Sequence, residues 1–172
     1  DREQYEDNIY AGGPNSEAAQ KLLEEEQNTM YIYHTYYGGT WRQQADGTWK
    51  LYQDDGQPVS SSWGIVDGKT YLLDMYGTML TGWQRVNGYW YYFNTRTGEM
   101  QTGFVDLPEK TVYYSEKGQM QYGEQKIGDE FYYFDTRTGE RAEESWRDTT
   151  DQSGRKIRVY YDEEGCRGSG GQ

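Results

Sequence analysis

A glycine returns along this chain at a near-constant interval. Gly56, Gly77, Gly98, Gly118 and Gly139 follow one another at about 20 residues, and Gly165 closes a longer fifth interval. Met79, Met100 and Met120 each stand two residues after one of these glycines. A period this short has room for one small supersecondary unit. Such units cannot bury their own faces, so they stack on their neighbours.

The third period shows what the unit is. Gly82 to Thr102 reads GWQRVNGYWYYFNTRTGEMQT. Two aromatic runs flank Asn87-Gly88, a pair that tolerates positive φ at both turn positions and so signals a tight β-hairpin. Five further repeats follow the same plan. They run from Trp41 to Tyr52, Trp63 to Leu73, Phe104 to Tyr114, Glu124 to Phe134 and Trp146 to Tyr161. Asp46-Gly47, Asp67-Gly68 and Gly128-Asp129 mark three of their turns. A Pro108-containing loop and the longer Asp151-Gln152-Ser153-Gly154 mark the others. The third and fifth repeats share Thr-Arg-Thr-Gly-Glu, at Thr95 to Glu99 and Thr136 to Glu140.

Composition decides what fills such an array. Only 34% of the chain is hydrophobic, yet 17% is aromatic, with 19 Tyr and 6 Trp. Disordered chains of low hydrophobicity are poor in aromatics. The expected core is therefore built from Tyr and Trp. Alternation along a strand sends Trp90 and Tyr92 to one face and Tyr91 to the other. Each junction between stacked hairpins then becomes an aromatic seam. A seam is either filled by neighbouring side chains or left as a slot. Such a slot suits a quaternary ammonium, at roughly 0.5–2 kcal/mol per cation–π contact, or a sugar ring stacked on an aromatic face.

The remaining segments are simpler. Residues 1–39 are expected to form a cap made of an irregular lead-in, a short helix over Ser16 to Asn28, and a strand from Met30 to Tyr37. Asn15 or Ser16 would cap the helix, and Ala18, Ala19, Leu22 and Leu23 form its apolar face. The strand is expected to be half of a first, degenerate repeat. Residues 40–168 are the hairpin array, and 169–172 a flexible Gly/Ser-rich tail. The abrupt start at Asp1 and the Gly-rich end are expected of a fragment of a longer chain. The lack of a visible signal peptide therefore does not assign it to the cytosol.

Several function classes fit poorly. The formal net charge of −12 opposes nucleic-acid binding and docking on anionic lipid. No apolar run reaches membrane-spanning length. Carboxylates fall at turns and on polar strand positions, without a pairing for acid–base catalysis. His34, the only histidine, reads as an ordinary strand residue and Cys166, the only cysteine, as an incidental thiol near the tail. Asp54-Asp55-Gly56 and Asp151 to Gly154 read as turns rather than calcium loops. No catalytic residue, cofactor or metal is expected.

TGWQRVNGYWYYFNTRTGEMQTG resembles the choline-binding, or cell-wall-binding, repeats of Gram-positive bacterial surface proteins and phage endolysins. Related repeats occur in glucan-binding regions of glucosyltransferases and in clostridial toxin tails. The resemblance extends over about Thr40 to Gly168 and is strongest in the third repeat. It implies an all-β solenoid of stacked β-hairpins with choline held between consecutive repeats. Carried onto this chain, the cage residues are Trp83, Trp90 and Tyr113 with Met100 nearby. A second cage would use Trp41, Trp49 and Tyr71, with Pro58 in place of the Met. The other junctions depart from the pattern. They carry Trp63 and Thr70 facing Tyr91, Phe104 and Val112 facing Tyr132, and Glu124 with Phe131.

The resemblance implies an extracellular, non-catalytic module at the bacterial surface. Its partner would be choline or phosphocholine on teichoic acids. A wall glucan is the alternative ligand. A further alternative is a scaffold role that engages another surface protein or an upstream domain.

Overall fold

The computed structural model describes residues 28–167. The chain divides into two compact bodies, Asp1–Glu99 and Met100–Gln172. Among the described residues there are thirteen strands and no helix. In the first body these are β1 (Thr35–Tyr37), β2 (Thr40–Gln43), β3 (Trp49–Tyr52), β4 (Ser62–Val66), β5 (Lys69–Leu73), β6 (Gly82–Val86) and β7 (Tyr89–Phe93). In the second they are β8 (Gly103–Asp106), β9 (Thr111–Tyr114), β10 (Gly123–Ile127), β11 (Glu130–Phe134), β12 (Ser145–Thr150) and β13 (Lys156–Tyr161). The described residues are all-β. The helix expected over Ser16 to Asn28 falls, except for Asn28, outside the described residues, as does the 169–172 tail.

Each repeat forms an antiparallel hairpin: β2–β3, β4–β5, β6–β7, β8–β9, β10–β11 and β12–β13. Asn87 and Gly88 take φ of 50° and 84°, the mirror-image turn that matches strand twist. In each of the last five hairpins a small residue lies opposite the large one that ends the second strand. Gly82 faces Phe93, Gly103 faces Tyr114 and Gly123 faces Phe134. Ser62 faces Leu73 and Ser145 faces Tyr161. All five large residues are fully buried. Directly opposed residues share a sheet face, so the small partner leaves room for the large one. Within each body these hairpins thus contribute one large core side chain apiece.

After each second strand the chain turns back on itself. A polar side chain organises the turn. The Oδ1 of Asn94 accepts the backbone N–H of Arg96 and Thr97 at 2.8 and 3.0 Å. Asp135 does the same for Arg137 and Thr138. After β13, Asp162 Oδ1 accepts from Glu164 N and Cys166 N, and in the hairpin turn between β12 and β13 Asp151 Oδ1 accepts from Ser153 N and Oγ and from Arg155 N. That is turn chemistry, as the sequence reading held. The returning chain then pairs with its own hairpin through Leu73↔Met79, Tyr114↔Met120 and Phe134↔Arg141.

From the second repeat on, the closing glycine meets a side chain of the closing loop before it. Met79 lies on Gly98, Met100 on Gly118 and Met120 on Gly139. Pro58 occupies this place at Gly77, and Arg141 at Gly165. The glycines combine positive φ with a lack of space for a Cβ, so two independent constraints select the same residue.

The lead-in departs from expectation. The strand is short, Thr35–Tyr37, and joins β4 in parallel, so β1-β4-β5 is a three-stranded sheet. Upstream, Met30 bridges Val86 in parallel. The segment is therefore an edge laid along the third and then the second hairpin, not half of a degenerate repeat. Asn87 explains the docking: its Oδ1 accepts Ile32 N at 3.1 Å and its Nδ2 donates to Ile32 O at 2.9 Å. A turn residue chosen for its φ thus has a second role that local sequence does not reveal. His34 is exposed, and its carbonyl accepts Trp63 N at 2.9 Å. Cys166 belongs to the last closing turn rather than to a tail: its N–H donates to Asp162 Oδ1 at 2.9 Å, and it is half-buried.

Candidate functional site: an aromatic cleft in the first body

Successive hairpins meet through an edge-to-face aromatic contact. Trp41 of β2 meets Tyr71 of β5 at 4.9 Å between ring centres, with planes at 69°. Trp63 of β4 meets Tyr91 of β7 at 5.0 Å and 63°. In the second body, Phe104 of β8 meets Tyr132 of β11 at 5.1 Å and 69°. The contact recurs because Trp41, Trp63 and Phe104 hold one position of the repeat, and Tyr71, Tyr91 and Tyr132 another. Edge-to-face pairs of this kind add about 0.5–1.5 kcal/mol beyond area burial.

At the first junction the contact leaves an opening. Trp41, Trp49, Tyr71, Met79, Arg96 and Thr97 line a cleft of about 260 Å³. Drug-sized pockets run from about 300 to 1,000 Å³, so this one suits a smaller group. Trp49 opens β3 and remains 37% exposed, leaving ring surface available to solvent. Trp41 and Tyr71 are half-buried and held by their mutual contact. Burial, followed by the nearby Glu99 carboxylate, raises the Tyr71 phenol pKa. Tyr71 therefore stays neutral across the physiological range, with an intact ring face and a hydroxyl.

The three residues expected for this cage do come together. The thioether is supplied by Met79 rather than by the Pro58 position. Met79 N donates to Trp49 O at 2.8 Å, which pulls the closing loop of the second repeat against the first hairpin. Arg96 and Thr97 were not singled out from the sequence. They come from the closing turn of the third repeat, within the Thr-Arg-Thr-Gly-Glu segment whose duplication was the available signal. Three consecutive repeats thus build one cleft.

The third repeat presents part of a similar arrangement. Trp83 and Trp90 meet at 6.4 Å with planes at 83°, and Trp83 meets Tyr92 at 5.2 Å. Trp83 is 37% exposed. Tyr113 and Met100 belong to the second body. There Tyr113 packs on Phe104 at 5.0 Å and on Phe134 at 5.9 Å, and Met100 lies on Gly118.

The cleft has the chemistry of an organic-cation site. Two indoles, a phenol and a polarisable thioether offer ring faces and apolar contact. The remaining lining groups are a hydroxyl residue and an arginine at the turn.

Comparison with known proteins gives a consistent result. The choline-binding repeat family matches residues 59–103 and 101–146, together just over half of the chain. The fold is similar to that of CbpJ from Streptococcus pneumoniae TIGR4, with 26% identity and a TM-score of 0.65 over 76% of this chain and 42% of that one. It is similar to choline binding protein F from Streptococcus pneumoniae, solved with a peptidoglycan analogue. There the identity is 26% and the TM-score 0.59, over 77% of this chain and 47% of that one. The Cpl-1 endolysin shares the fold, with 23% identity and a TM-score of 0.51 over 81% of this chain and 40% of that one. The chain spans less than half the length of each of these proteins. A search of curated protein sequences found no match.

Proposed function

The chain belongs to the choline-binding repeat family, and from that premise we propose that it is a non-catalytic module that holds a secreted protein at the bacterial surface. The ligand is the choline headgroup of phosphocholine on wall teichoic acids. The single observation that carries this reading is the open cleft of Trp41, Trp49, Tyr71 and Met79. Ring quadrupoles attract the trimethylammonium group, and its methyls gain apolar contact with the indoles and thioether. Trp83 and Trp90 offer a second half-cage of the same type.

The hairpin-on-hairpin contacts within each body support reading residues 40–168 as an array of the choline-binding-repeat solenoid type. Residues 1–39 serve as its cap. Catalysis, where the whole protein has any, belongs to other parts of it.

Choline titration tests the proposal. Millimolar choline should quench Trp fluorescence and raise the melting temperature, because a ligand specific to the folded state stabilises it. Tetramethylammonium should do the same, since the recognised group is the quaternary ammonium. No response to either at tens of millimolar, against matched sodium chloride, would reject the reading. Retention on dextran with no response to choline would move the assignment to a glucan ligand.

A further inference from the structure

At three junctions that lie within one body, the residue two places after the closing glycine docks against the preceding hairpin. At the first junction this is Met79, whose N–H donates to Trp49 O and whose thioether lines the cleft. Arg141 and Arg167 hold the same place in the second body. Arg141 N donates to Thr111 O and Arg167 N to Phe131 O, both at 2.8 Å.

Their side chains end as cations over aromatic rings. The Arg141 guanidinium carbon stands 5.8 Å from the centre of Phe104, the residue in the Trp41 position. Its stem crosses Gly165 as Met120 crosses Gly139. Its Nε is buried without a hydrogen-bond acceptor, while one terminal nitrogen donates to Glu143 at 3.2 Å. The Arg167 guanidinium carbon stands 5.6 Å from the centre of Phe131, the residue in the Trp49 position. One of its nitrogens is 3.6 Å from Glu124 Oε1. Glu124 occupies the Trp41 position, and its other oxygen accepts the Tyr161 hydroxyl at 2.7 Å.

We infer that these two guanidinium groups are the chain's own occupants of the position a ligand cation takes at the first junction. They take the cation position at the fourth and fifth junctions, the latter beside a cleft of about 530 Å³ lined by Glu124, Phe131 and Arg167. The inference rests on reading the first cleft as a cation site. A second cation brought to the same ring face would meet a like charge at a few ångströms. The tethered guanidinium also competes at the high effective concentration of a linked group. At the fifth junction Glu124 supplies a counter-charge where an indole face is missing. At these three junctions the docked residue, Met79, Arg141 or Arg167, then sets whether the junction is open or occupied.

Equilibrium dialysis with labelled choline, together with melting curves in tetramethylammonium chloride against equal sodium chloride, tests this on the full chain. The variants are Arg167→Met, Arg141→Met and Arg167→Lys. Arg167→Met should bind one more choline per chain than the parent, and its melting temperature should rise at least twice as far. Arg141→Met should gain a weaker site. Arg167→Lys keeps a cation and should gain nothing.

A folded Arg167→Met with the parent's stoichiometry and melting shift would overturn the inference. If the parent binds choline and Arg167→Met adds nothing, the inference fails and the first cleft stands. If only Arg167→Met binds, the reading of the first cleft fails, while Arg167 as the occupant of a cation position at the fifth junction stands. A measurement on the parent does not depend on the variants folding. The Arg167 Nε–H resonance should stay in place while choline saturates the first cleft, and its displacement by choline would overturn the inference.

Discussion

The thioether of Met79 lies across Gly98, in the space where a side chain at residue 98 would begin. The glycine stands in the closing turn of the third repeat, and the methionine lines the cleft built by the first three. One contact therefore joins array stability to the candidate site.

Replacing Gly98 by Ala should be more damaging than replacing Gly56 by Ala. Both glycines have positive φ, 78° and 87°, but a Cβ at residue 56 meets nothing within 4 Å. Gly56→Ala should cost about 1–2 kcal/mol for the left-handed backbone alone. Gly98→Ala adds displacement of Met79, typically about 1–3 kcal/mol for overpacking. Urea unfolding should separate the two. It should also weaken choline binding only for Gly98→Ala.

Trp49→Ala should weaken choline binding about 5- to 30-fold, the equivalent of roughly 1–2 kcal/mol of cation–π attraction. Trp146→Ala, at a Trp that is 53% exposed on β12 outside this cleft, is the control and should leave affinity unchanged. Titration by calorimetry distinguishes them. Equal losses would mean that indole content rather than the cleft matters.

Asn87→Gly keeps the turn, since Gly accepts positive φ freely. It removes both hydrogen bonds to Ile32, each contributing about 1 kcal/mol. Amide exchange of residues 30–37 should accelerate while that of β6 and β7 changes little. Unchanged protection at residues 30–37 would show that β1 pairing alone holds the edge.

Stability should fall in acid partly through Asp135. The backbone N–H groups of Arg137 and Thr138 hold its carboxyl below the usual range. Because the folded-state value is the lower one, this stabilisation is present above the unfolded value near 3.9 and is lost as pH falls through the folded value. Asn94 makes the same two hydrogen bonds in the third repeat without a titrating group. Asp135→Asn should therefore retain stability at neutral pH and flatten its decline below about pH 4. Urea midpoints across pH 2.5–7 check it.

Much of this was legible in the sequence because it is local. The Asn87-Gly88 turn, the period-two aromatic strands and the acidic turns follow from backbone sterics and short-range hydrogen bonds. So do the hairpins at Trp63 and Glu124. The grouping of Trp41, Trp49 and Tyr71 could be carried over because repeat positions stack in register. The edge strand Thr35–Tyr37 was misread because its partner, β4, lies 28 residues further on, and periodicity is silent about parallel pairing.

The sequence alone determined that this chain forms hairpins, how many residues each takes, and that aromatics line their junctions. Those properties are set within about 20 residues. Tertiary structure decided which residue reaches each junction. Met79 rather than Pro58 completes the first cleft, and Arg141 and Arg167 take the equivalent place in the second body. That choice depends on the returning loop docking one repeat back. It is fixed by hydrogen bonds such as Met79 N to Trp49 O and by the bare backbone of the next glycine, contacts between residues 19 to 36 apart.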